Sequence, residues 1–330
     1  MEFRVPTALG ALALALAVLS WTSPMAAREI VERAHWVPEV SLQSPESIRR
    51  MVTTAAANGF NTLFVPVIDA TGVFDPLRET IDAARERGMR VRAWLHVNLV
   101  TANGELPAAR EHVIYQHPEW LMVPRELAPE LQAIDVRSPE YLGRLTRWTR
   151  AHADRVEGLY LSPLHLGAQT LLAATVKDLV SRYDVDGIQL DDVRFPATDF
   201  DYSRAAIEAF RADVRSRISP LDREKLDSIE TIDPFAYPEI RGDDWRMFRQ
   251  TRLTSLVTRL RSTARSVRPG VIVSAAVDPD AAHAARESFQ DWRTWVDNGF
   301  IDALCALGSG DALVADVRAL AGSRPVWVRD

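Results

Sequence analysis

Apolar and polar positions along this chain follow two different periods, and the two take turns. Short runs with period two, the spacing of a strand with one face in and one face out, give way to longer stretches with helical spacing. Strands are predicted near residues 33–39, 60–68, 90–98, 158–162, 185–191, 271–277, 300–307 and 325–329. The helices between them are clearly punctuated. Ser44-Pro45 supplies an N-cap and a first-turn proline and Asn58-Gly59 a stop, while Asp75-Pro76 opens the next helix and Gly88 closes it. Further helices are predicted near 139–153, 169–182, 244–267, 288–298 and 311–321. This alternation is the signature of a parallel α/β architecture, and eight strands fit a closed (β/α)8 barrel.

Two stretches depart from the alternation. A long loop after 90–98 leads to His117-Pro118-Glu119-Trp120, and a polar excursion at about 197–243 carries a helix near 202–218 and the turn-rich segment 233–238. The excursion follows the C-terminal end of a strand, so it should roof the side of the barrel where active sites form. No helix follows 325–329 before Asp330. The final helix's covering role therefore falls to the segment near residue 28, or the barrel is left incompletely wrapped.

Strand parity selects candidate site residues. In a parallel barrel the apolar face packs against the surrounding helices, which leaves the other face for the interior and the mouth. Ile188 and Leu190 take one face of their strand and Gln189 and Asp191 the other, so Asp191 should point inward at the C-terminal end. Asp192 has the opposite parity and joins Asp191 only if the strand has already ended and turned. The same test places Arg92, Trp94, His96 and Asn98 on one inward face, Tyr160 and Ser162 on another, and Ser274 and Asp278 on a third. Asp302 begins its strand and therefore belongs to the opposite, stability-determining end.

One run carries most of the information: Tyr183-Asp184-Val185-Asp186-Gly187-Ile188-Gln189-Leu190-Asp191-Asp192-Val193-Arg194-Phe195-Pro196. Together with Trp245-Arg246-Met247-Phe248-Arg249, Arg268-Pro269-Gly270-Val271, Asp291-Trp292-Arg293-Thr294-Trp295-Val296, Gln116-His117-Pro118-Glu119-Trp120-Leu121 and Leu161-Ser162-Pro163, it resembles the bacterial glycosyl hydrolase-like 10 family over most of residues 33–307. The resemblance implies a TIM barrel, a place among glycoside hydrolases and, as for some relatives, activity on peptidoglycan glycan strands. Two positions depart from the family pattern. Arg252 stands where relatives tend to carry Asn, and Asp278 where they more often have an apolar or small residue.

Glycoside hydrolysis commonly needs a proton donor and a nucleophile or base, roles that two carboxyl groups fill. Asp191 supplies the first carboxylate; Asp278 is the leading second, with Asp192, Asp69 and Glu39 as rivals. His96 could orient a sugar hydroxyl or tune a carboxylate, and Arg194 could pair with Asp191 or Asp192 and lower its pKa. Trp36, Trp94, Phe195 and Tyr202 lie at or just beyond strand ends, where an aromatic face could carry a pyranose ring. Trp120, Trp148, Trp245, Trp292 and Trp295 fall on helices or their entries and read as core.

Composition narrows the alternatives. The 330 residues are 47% apolar without a low-complexity tract, enough for one large domain spanning 28–330. A net charge of −6, with arginines interspersed among acids, gives no nucleic-acid footprint. There is no phosphate-binding glycine loop, no His-x-x-x-His or paired-Cys metal spacing, and no nucleophile elbow around Ser162, so neither cofactor nor metal is expected. The single cysteine, Cys305, lies among apolar neighbours and forms no intrachain disulfide. Arg4, an apolar run over 8–19 and Ser23-Pro24-Met25-Ala26-Ala27 match a signal peptide over 1–27, short for a membrane span. The expectation is an exported hydrolase acting on a polysaccharide in the periplasm or outside the cell. A non-catalytic carbohydrate-binding barrel is the alternative, and oligomeric state is not legible.

Overall fold

The computed structural model describes residues 32–67, 74–102, 104–308 and 310–329. The expected leader over 1–27 and the candidate Asp69 lie outside the described residues. Numbered along the chain, the strands are β1 (Ala34–Trp36), β2 (Thr62–Pro66), β3 (Arg90–His96), β4 (Leu99–Ala102), β5 (Gly158–Tyr160), β6 (Gly187–Asp191), β7 (Ile272–Val277), β8 (Ala303–Leu307) and β9 (Val326–Arg329). Seven of them form one parallel sheet in the order β1-β2-β3-β6-β7-β8-β9, curled into a nearly closed barrel.

The strand predicted at 158–162 does not enter that barrel. It pairs antiparallel with β4 in a separate two-stranded sheet, and β3 bonds directly to β6, with Trp94 opposite Gln189 and His96 opposite Asp191. Glycine permits the close pairing: a Cβ on Gly158 would stand 1.6 Å from the Thr101 carbonyl oxygen. Of the eight expected strands, seven build the barrel and one belongs to its roof.

The alternating pattern sorts the interior. Ile188 and Leu190 are fully buried toward the helices, while register partners form inward rows. One row runs Trp36, Phe64, Arg92, Gly187; the next runs Pro66, Trp94, Gln189, Ser274, Ala303. Gly187 leaves room for a large neighbour, since a Cβ there would lie 2.7 Å from Arg92 Nη1 and 2.7 Å from the Ile272 carbonyl oxygen. The Arg92 guanidinium fills that room, pairs with Glu32 at 2.8 Å and stacks 4.6 Å from the Trp327 ring centre. Phe64 lies between Trp36, stacked at 3.8 Å, and the edge of Trp327 at 5.4 Å. These side chains fill the barrel interior beside the seam between β1 and β9, which share no hydrogen-bond ladder among the described residues.

Helix signals work as the sequence dictates. Ser44 and Ser47 form a reciprocal capping box before Pro45–Ala57, and Asp75 caps Pro76–Arg85 through the Arg78 N–H. Residues 197–243 carry the helices Arg204–Arg215, Pro220–Glu230 and Ala236–Ile240. The helix expected over 288–298 is shortened to Trp292–Asp297, and a further short helix, Ala281–Glu287, precedes it. Among the described residues no helix is long and apolar enough to cross a bilayer.

Candidate active site

β6 delivers Asp191 to the C-terminal rim, and the chain turns at once: Asp192 has φ +49°, the left-handed region. That turn overrides the parity that would have sent the two carboxylates to opposite faces. Both now line one cleft of about 620 Å³, together with Arg194, Asp278, His283, Glu287 and Gln290.

The two neighbours are held differently. The Asp191 side chain is only 7% exposed, and its Oδ2 accepts from the Trp94 indole N–H and from Arg329, each at 2.8 Å. Its Oδ1 accepts the Asp192 backbone N–H at 3.1 Å. Burial, followed by the neighbouring Asp192 charge, keeps its pKa above the ordinary carboxylate value, against the opposing pull of Arg329 and Trp94. Burial pushes Asp192 upward too. There the His96 hydrogen bond and the Arg194 and His96 charges outweigh it, and the net displacement is downward. His96 Nδ1 lies 2.5 Å from Asp192 Oδ2, and that hydrogen bond raises the imidazole pKa. Arg194 reaches Asp192 Oδ1 at 3.4 Å and Glu157 at 2.5 Å; Glu157 also accepts from the Tyr160 hydroxyl at 2.7 Å.

Asp278 follows β7 on the other wall. Its Oδ1 accepts the Asp280 N–H at 2.9 Å and its Oδ2 meets His283 Nδ1 at 2.7 Å. Gln290 ties the walls together. Its Oε1 accepts the Asp278 N–H at 3.1 Å, and its Nε2 donates to the carbonyls of Ala276 at 2.9 Å and Val193 at 3.4 Å. Behind the cleft, buried Arg249 donates to the carbonyls of Thr198, at 2.6 Å, and Phe200, and stacks 4.0 Å from the Phe289 ring centre.

Several expected substrate contacts give way to structural roles. Phe195 is fully buried edge-on against Phe289, with no face for a sugar. Asn98 is buried and donates to the Leu161 carbonyl; Ser162 is buried and caps the Leu164 N–H; Tyr160 is buried with its hydroxyl on Glu157. In each case the β4–β5 pair covers what parity alone would have left at an open mouth. Trp36 stacks within the barrel, and Trp94 carries the Arg329 guanidinium 4.7 Å from its ring centre; neither ring lines the cleft. Tyr202 packs edge-on against Phe235 and Trp245. Glu39 opens a short 3-10 helix and Asp302 pairs with Arg261 and Arg265. Parity would have found Arg329, two residues after inward Trp327. His283 and Glu157 lie outside the predicted strands and gave no comparable signal.

His96, Asp191 and Asp192 each offer a donor atom within 4.8 Å of the others, the geometry of a cation site. Asp191 Oδ2 is already engaged by Trp94 and Arg329, however, and Arg194 adds a second guanidinium at Asp192. This donor set suits a carboxylate pair neutralised by protein cations better than one awaiting a metal.

Comparison with known proteins agrees with this architecture. The family model described as Glycosyl hydrolase-like 10 matches residues 67–307. The Escherichia coli K12 protein named Glycosyl hydrolase DigH is 25% identical, over 82% of this chain and 62% of its own length. The chain thus spans less than two thirds of that relative. Among solved structures, the glycoside hydrolase domain of PgaB (BpsB) from Bordetella bronchiseptica superposes with a TM-score of 0.54 at 14% identity, covering 90% of this chain and 84% of that one. A β-galactosidase from G. stearothermophilus gives 0.53 at 13% identity, with 87% and 42% coverage. Such low identities speak for the fold alone, a glycoside hydrolase TIM barrel. With the model matching most of its length, the chain belongs to the glycosyl hydrolase-like 10 family.

Proposed function

We propose that this protein is an exported glycoside hydrolase that cleaves O-glycosidic bonds of an extracytoplasmic polysaccharide, with peptidoglycan glycan strands as the leading substrate. The observation that carries the proposal is the pair Asp191 and Asp192, two adjoining carboxylates whose surroundings displace their pKa values in opposite directions within one cleft. Surroundings that set neighbouring carboxyl groups apart in this way give them different duties in one site. Asp192, held ionised by His96 and Arg194, is the group to activate a water or attack the anomeric carbon. Asp191 holds its charge beside the oxocarbenium-like transition state, anchored by Trp94 and Arg329. The acid that protonates the leaving oxygen comes from the Asp278 wall. Export is supported by the apolar leader pattern over 1–27, and peptidoglycan by the family resemblance.

A purely carbohydrate-binding barrel fits less well, because no Phe, Tyr or Trp ring is among the described residues lining the cleft. The test is muropeptide analysis of purified glycan strands incubated with the wild type, Asp191→Asn and Asp192→Asn. New reducing ends should appear with the wild type and fall by about 10²–10⁴-fold in the variants, while glycan pull-down persists. Binding by the wild type without any cleavage would turn the assignment toward a binding module.

A further inference from the structure

The proposed reaction leaves open which atom delivers the proton to the departing oxygen. Resting on the glycosidase reading, we propose that this atom is Nε2 of His283, and that Asp278 is the positioning residue behind it.

Asp278 is poorly placed to act as the acid itself. Both its oxygens are engaged, Oδ1 by the Asp280 N–H at 2.9 Å and Oδ2 by His283 Nδ1 at 2.7 Å. A carboxylate accepts, so Nδ1 carries the proton in that bond, and Nε2 is left as the ring's other functional atom. Asp280 Oδ1 accepts the His283 N–H at 2.9 Å, which fixes the backbone from which the ring projects. His283 is thus aimed from two sides, its side chain is 52% exposed, and it lines the cleft that also holds Asp191 and Asp192. Its counterpart His96, also paired through Nδ1 to an aspartate, does not line that cleft. The two histidine–aspartate pairs therefore differ in kind. On one wall only the carboxylate lines the cleft; on the other both partners line it, and the carboxylate holds the imidazole by Nδ1.

The step balances as follows. The Nε2 proton of the cationic ring passes to the glycosidic oxygen while the bond from that oxygen to the anomeric carbon breaks, the bonding pair staying on oxygen. A water oxygen bonds to the anomeric carbon, and its proton passes to the Asp192 carboxylate. Transfer of that proton through solvent to Nε2 restores the site, with one water consumed per bond cut.

The experiment compares His283→Ala, His283→Gln and Asp278→Asn with the wild type and Asp192→Asn, on glycan strands and on phenyl and 4-nitrophenyl N-acetylglucosaminides. Both His283 variants should lose about 10²–10⁴-fold in kcat on glycan with little change in KM. They should lose much less on the 4-nitrophenyl substrate, whose leaving group departs without a proton. Added imidazole should restore part of the rate to His283→Ala and none to Asp192→Asn. Asp278→Asn should lower kcat without imidazole rescue. Wild-type kcat in both His283 variants beside an inactive Asp192→Asn would overturn this inference and leave the glycosidase reading standing. A wild type that cleaves none of these substrates would overturn both. An unaltered unfolding midpoint in His283→Gln separates loss of chemistry from loss of fold.

Discussion

The most direct check on the barrel interior is a single added methyl group, Gly187→Ala. Gly187 begins β6, four residues before Asp191 and on the same inward face. Its φ is not in the left-handed region, so alanine meets no backbone penalty there and would shed unfolded-state entropy worth about 0.4–1 kcal/mol. Against that gain, the new Cβ would sit 2.7 Å from Arg92 Nη1 and 2.7 Å from the Ile272 carbonyl oxygen. The arginine end could swing away only by giving up its 2.8 Å contact with Glu32 and its place on Trp327, and the Ile272 carbonyl belongs to the neighbouring strand. Overpacking of this kind costs about 1–3 kcal/mol, so at mid-range the net is a loss of about 1 kcal/mol. Gly143→Ala is the control. It lies in the helix Pro139–Ala151 with nothing within 4 Å of the added carbon, and should gain about 0.5–1 kcal/mol. Urea unfolding should lower the midpoint for Gly187→Ala and raise it for Gly143→Ala at unchanged slope. Pairing Gly187→Ala with Arg92→Met should recover part of the loss, because the two sites share the clash. A Gly187→Ala midpoint at or above the wild type would refute the packing argument.

Other outcomes follow from the same structure. The His96 pKa is raised above its ordinary 6.5, so its pairing with Asp192 stabilises the fold below that pH and the contribution fades as pH rises through the elevated value. His96→Gln should remove this alkaline decline in unfolding midpoint. The Asp192 pKa is lowered instead, so its contribution is present above its ordinary 3.8 and disappears as pH falls through the depressed value; Asp192→Asn should flatten that acid limb. Burial brings the Arg249 guanidinium down to about 10, and its bonds to the Thr198 and Phe200 carbonyls hold the segment beside the cleft. Arg249→Met should cost about 2–4 kcal/mol in urea unfolding and speed proteolytic nicking near 197–203. Burial pushes the Cys305 thiol up to about 12, so iodoacetamide should leave the native protein unmodified and label it fully in urea.

Much of this architecture is legible in the chain because strand alternation is a local signal with a global meaning. Ile188 and Leu190 against Gln189 and Asp191 separate outside from inside without knowledge of any partner strand. The partner strand itself is not local. The 158–162 segment has the composition of a barrel strand, and only the approach of Thr101 to Gly158 shows that it pairs antiparallel above the rim. Missing that pairing also misplaced Asn98, Tyr160 and Ser162, whose polar groups serve the roof. The turn at Asp192 was equally hidden, since an aspartate entering the left-handed region looks like any other aspartate in sequence. His283 escaped notice because its meaning depends on Asp278 five residues earlier and on a short helix that begins between them.

The direct bonding of β3 to β6 has a further consequence. Residues 99–162 add no strand to the barrel wall, so this stretch can be lengthened, shortened or exchanged without breaking a rung beneath the carboxylates. Natural variants of the scaffold could therefore acquire new glycan preferences by remodelling that canopy while the chemistry below stays where it is.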